Sequence, residues 1–138
     1  MASGIFQGFA HNLLGNGTRV EVDTDTLAIA LIDSADVTIS RTTHDFYDDI
    51  AAGEVATGDV GSVTITGGTL DFADETLAAV TGDTAEQVVL YKNTGVDSTS
   101  VLMLLWDAGG FTSGMPVTPN GGDITFSPSA SGAAAWYA

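Results

Sequence analysis

The hydrophobic pattern begins with a helical period and then changes to the period of strands. Ile5, Phe9 and Leu13 recur at i, i+4 beside Phe6, and the stripe stops at Gly15-Asn16-Gly17, which predicts a short amphipathic helix or arm. Such a stripe either packs on the domain's own core, as most do, or forms an arm that docks elsewhere. After it, short runs rich in Val, Ile, Thr and aromatic residues are separated by Gly, Asn, Asp and Ser, the pattern of an all-β domain. The chain thus divides into an N-terminal helix or arm, 1–17, and a single β domain, 18–138, expected as a β-sandwich or barrel-like set of antiparallel sheets.

Within the β region, Leu27 to Ile32 is an unbroken apolar run, which suits a strand buried on both faces. Turn residues Asp33 to Asp36 follow it, and Val37-Thr38-Ile39 is the next strand candidate. Val63 to Thr66 alternates, stops at Gly67-Gly68 and resumes as Thr69 to Phe72, which predicts a hairpin with a glycine turn. Ala85 to Tyr91 and Val101 to Trp106 are strand-like on either side of a polar connector, so they are expected as adjacent antiparallel strands near the centre of the sheet. Ile124 to Phe126 and Ala134 to Tyr137 are the last candidates. One short interior helix is expected over Thr42 to Ile50, with Thr43 as cap, acidic residues in the first turn and Phe46 with Ile50 as an apolar pair.

Composition narrows the function. The 138 residues are 44% hydrophobic, enough for the core of one domain. Asp and Glu number 18 against three basic residues, Arg19, Arg41 and Lys92, for a net charge of -15. Nucleic acid and anionic membrane are therefore poor partners, because affinity for phosphate comes from clustered Lys and Arg. The chain has no cysteine, which removes disulfides, thiolate metal sites and cysteine nucleophiles together. The longest apolar runs are far too short to span a bilayer.

Catalytic signatures are thin. His11 stands alone on the N-terminal helix, and His44 has Asp45 beside it and Asp48 one turn on, the setting of a helix cap or ion pair; neither has HExxH spacing. Asp23/Asp25, Asp48/Asp49 and Asp74/Glu75 are the nearest carboxylate groups, and none follows the alternating oxygen pattern of an EF-hand. Asp107-Ala108-Gly109-Gly110 matches no phosphate-binding loop, and GxSxG does not occur. No enzyme, cofactor or metal site is read from these residues. The acidic side chains are read as a solvated surface that keeps the protein dispersed.

In order along the chain, Asp23 to Ile32, Thr43 to Ile50 (THDFYDDI), Val88 to Gly95 (VVLYKNTG), Leu102 to Trp106 and Pro116 to Ile124 (PVTPNGGDI) resemble blocks of a family of small tailed-phage virion proteins. The resemblance implies a β-sandwich or barrel-like structural protein, a head decoration (cement) protein on the outer surface of the bacteriophage capsid. It implies the major capsid protein and neighbouring copies, in trimers for instance, as partners, and no catalytic residues. The near absence of lysine departs from that pattern and fits adaptation to salty water.

An alternative from another class is a receptor- or glycan-binding module on a tail or fibre, which needs an exposed aromatic platform. Trp106 ends an apolar strand and reads as core, whereas Trp136 and Tyr137 suit either core or interface. The interface candidates are therefore Ile5, Phe6, Phe9, Leu13, Trp136 and Tyr137.

Overall fold

A computed structural model, describing residues 3–15, 19–107, 115–128 and 134–135, shows an all-β, sandwich-like fold built around the most apolar runs. Leu27–Ile32 forms β2, and all six of its residues are buried. It lies inside a five-stranded sheet with β1 (Gly4–Ile5), β3 (Glu54–Asp59), β7 (Gln87–Lys92) and β8 (Leu102–Asp107), in the order β1-β8-β7-β2-β3. Every pairing is antiparallel, and Ile29, Leu90 and Leu104 stand side by side across the three middle strands. The expected neighbours β7 and β8 are thus adjacent and central. A strand without polar positions needs cover on both faces. Phe6 and Phe9 from the N-terminal segment, and Leu70, Phe72 and Leu77 from outside the large sheet, join its side chains in one core.

The N-terminal segment is fastened to this core. Helix α1 spans Gln7–Leu13, and Phe6 and Phe9 are both 0% exposed. The Phe6 amide donates to Met103 O at 3.0 Å and the Gln7 amide to Arg41 O at 2.7 Å. Ile5, expected in the helix, instead pairs with Leu104 on β8. The expectation of a free arm is corrected for Phe6 and Phe9: the apolar stripe covers the protein's own sheet.

The predicted hairpin is present as β4 (Thr64–Thr66) and β5 (Thr69–Asp71). Gly67 and Gly68 have φ of 58° and 80°, and two successive positive φ values are what a two-residue type I′ turn requires of its centre. With β10 (Ala134–Ala135) this hairpin makes a second sheet, ordered β10-β5-β4. A third pairs β6 (Glu75–Leu77) with β9 (Ile124–Phe126). Among the described residues no sheet closes into a barrel.

Two expectations are corrected. Val37-Thr38-Ile39 forms no strand. The interior helix shrinks to two 3-10 turns, Tyr47–Asp49 and Ala51–Gly53. Its start is held not by Thr43 but by Asp49, whose Oδ2 accepts from the amides of Asp45 (2.9 Å) and Phe46 (3.1 Å). Phe46 is meanwhile drawn into a β-bridge with Val101, which keeps the segment from winding further.

Two glycines mark where backbones pass closely. A methyl group on Gly53 would run into Val37 Cγ1 and come within 2.9 Å of the Asp33 carbonyl oxygen, and the Gly53 carbonyl is already tied to the Asp33 amide at 2.8 Å. On Gly58 it would meet only the ends of Leu77 (2.6 Å) and Glu75 (2.7 Å), which can swing aside. Gly53→Ala is therefore expected to lower stability by about 1–3 kcal/mol and Gly58→Ala by less, as read from denaturant midpoints. Equal losses would contradict this.

Candidate docking surface

Of the predicted interface residues, Phe6 and Phe9 are core. Ile5 (36% exposed) and Leu13 (49%) remain at the surface, with Leu14 (85%) beside Leu13. Trp136 and Tyr137 lie outside the described residues. Trp106, the other ring of a possible glycan platform, is half-buried against Phe126 with ring centres 5.3 Å apart, and Phe126 in turn stacks on Phe72. A shallow depression of about 630 Å³ runs past Ile5, Thr38, Ile39 and Thr42, and Arg41 crosses it to donate to Ile5 O at 3.2 Å.

Of the histidines and carboxylates of the sequence survey, His44, Asp25 and Asp49 are held by the fold. His44 Nδ1 accepts the Ser40 amide at 3.4 Å, and His11 is exposed on α1. Asp25 accepts the Glu21 amide at 2.6 Å and pairs with Lys92 at 2.9 Å, while Arg19 pairs with Glu21 at 3.1 Å. Asp49 holds the first 3-10 turn. The fold also assembles one group that no local motif announces. Asp33, Asp36 and Asp83 place carboxylate oxygens within 4.8 Å of one another, the donor type that suits a hard cation. Three side chains are fewer than the six to eight oxygens calcium takes, and Asp33 Oδ1 already accepts the Ala35 amide at 2.7 Å.

Two buried tyrosines form the other polar cluster. Tyr47 donates to Glu54 Oε2 at 2.5 Å, its ring stacks on Tyr91 with centroids 4.3 Å apart, and the Tyr91 hydroxyl meets Thr57 Oγ1 at 2.8 Å. Burial, reinforced by the Glu54 carboxylate, pushes the Tyr47 hydroxyl well above the usual tyrosine range. Burial likewise raises Tyr91, against the opposing effect of its bond to Thr57. Both hydroxyls therefore stay protonated at neutral pH, and their chemistry is to tie the outer strand β3 to β7 and the first 3-10 turn.

The remaining feature is a gap in the charge. No charged residue occurs between Asp59 and Asp71, and Asp123 is the last one in the chain. In space, these stretches supply the small sheet β10-β5-β4, which carries Asp71 alone. Its outer strand β4 is exposed at all three residues, with Ile65 47% exposed. The hairpin is legible in the local sequence pattern, and the uncharged run 60–70 is visible there as well. No family model matches this chain, and no curated protein matches it. Its function is read from fold and surface chemistry.

Proposed function

We propose that this protein is a non-catalytic structural component of a tailed-phage virion, a capsid decoration (cement) protein on the outer surface of the head. Its partners are the major capsid protein and neighbouring copies of itself. The observation that carries this reading is the nearly uncharged small sheet, with Ile65 exposed at its rim, on a chain of net charge -15. Like-charged bodies repel until salt screens them, over about 10 Å at 0.1 M, so an acidic protein that must adhere does so where it carries no charge. Each contact of this size is weak, and many copies on one shell multiply it. The acidic remainder favours the outer surface, since an inward position would face packaged phosphate.

The test adds purified protein to heads prepared without it and counts bound copies after sedimentation. Wild type is expected to bind, and Ile65→Glu, which places a charge in the contact, to bind roughly tenfold more weakly, the equivalent of about 1.4 kcal/mol. Failure of the wild type to bind heads overturns the virion reading. Undiminished binding by Ile65→Glu moves the docking face elsewhere.

A further inference from the structure

Among the described residues strand β4 ends its sheet, and the turn beside it fixes which of its backbone groups have no partner there. In a two-residue hairpin the flanking pair, here Thr66 and Thr69, exchanges its hydrogen bonds inward. Bonding then alternates along the strand, so Ile65 is the residue whose N–H and C=O point away from β5. Edge strands are usually guarded by lysine, proline, a bulge or a covering segment. Residues 63–66 contain neither lysine nor proline, the β4/β5 register is regular, and all of β4 is exposed.

We propose that two copies of this chain pair through their β4 edges, antiparallel about Ile65. Three features select a second copy as the occupant. Thr64-Ile65-Thr66 reads the same in both directions, so a twofold axis through Ile65 sets Ile65 against Ile65 and each Thr64 against Thr66 of the other copy. A twofold contact sets like surface against like, which a chain of net charge -15 tolerates only where charge is missing, as it is between Asp59 and Asp71. Side-chain chemistry also matches. Ile65 stands beside the buried Leu70 in the β4/β5 register, so pairing continues the row Leu70-Ile65 into Ile65-Leu70 of the other copy. Threonine pairs already link this protein's own segments, Thr76 with Thr125 at 2.9 Å and Thr84 with Thr118 at 2.8 Å.

Two three-residue edges bury far less than the roughly 1,200 Å² of a stable complex. The pairing is therefore weak in dilute solution and effective where copies are held side by side. It rests on the small sheet being the docking face, and not on the neighbouring surface being a capsid.

The chain has no cysteine, so Ile65→Cys carries a single thiol placed to meet its own copy. Opposed residues of a hydrogen-bonded pair have Cα atoms about 5.5 Å apart, within disulfide range. In molar NaCl under a mild oxidant, Ile65→Cys is expected to form disulfide dimer at least tenfold faster than Val96→Cys, although Val96 is the more exposed residue at 55%. In parallel, wild type at millimolar concentration should sediment above its monomer mass, and Ile65→Pro, which removes the outward N–H and no internal hydrogen bond, should not. If Ile65→Cys does not fold, the sedimentation pair decides. Equal oxidation rates, or a monomeric wild type at millimolar concentration, overturn self-pairing. If Ile65→Glu nevertheless loses heads, the edge receives a strand of another protein and the docking-face reading survives.

Discussion

Raising the pH above 10 is expected to destabilise this protein, by up to about 1.4 kcal/mol per pH unit for the buried Tyr47, with Tyr91 adding in the same direction. Tyr47 and Tyr91 are held above the ordinary tyrosine value of 10.0 by burial, and at Tyr47 also by the hydrogen bond to Glu54. In the unfolded chain both ionise once pH passes 10, while in the folded chain burial makes each give up its proton at higher pH. Their contribution is therefore fully present below pH 10 and is lost as pH rises through the window between the unfolded and folded values. Denaturant midpoints between pH 8 and about 11.5 would show a plateau followed by this decline, with tyrosinate absorbance rising together with loss of structure. Tyr47→Phe should make the decline shallower, because the more strongly held of the two buried protons is gone. Stability that stays flat to pH 11 would mean that water reaches these hydroxyls.

Phe9→Ala is expected to cost about 3–5 kcal/mol, the range for emptying a large aromatic side chain from a packed core. Phe9 is 0% exposed, whereas Leu13, one turn later on the same helix, is 49% exposed, so Leu13→Ala should change stability by less than about 0.5 kcal/mol. Removal of residues 1–14 takes away β1 as well as Phe6 and Phe9, and is expected to unfold the domain. The comparison separates a core helix from an adhesive arm. A Phe9→Ala protein with an unchanged melt and no affinity for heads would restore the arm.

What the sequence disclosed depended on how local the deciding interaction was. The burial of Leu27–Ile32 on both faces follows from six apolar residues in a row, and the hairpin around Gly67-Gly68 from a turn that only positive φ allows. Ile5 matched the helical stripe and became a strand because β8, far along the chain, offered it a partner. Strand β3 escaped notice because Glu54, Gly58 and Asp59 break its pattern; its half-exposed place at the sheet's edge asks for little apolar character. At the candidate site, the stripe showed that Phe6 and Phe9 face something apolar without showing that it is their own sheet. Asp33 and Asp83 meet only because Ile32 pairs with Gln87, a register that no local spacing encodes.

The placement of β1 beside β8 also sets the order in which the molecule can be completed. Gly4 pairs with Leu105, so the first strand leaves the ribosome long before its partner exists. Within the large sheet, β7 and β8 are joined by the shortest connector, 93–101, and need the least loop closure, which makes them its natural starting point. β2 and β3 can add to β7 next. Phe6 and Phe9 then wait, uncovered, for the finished sheet, so a segment made long before β8 is expected to pack last.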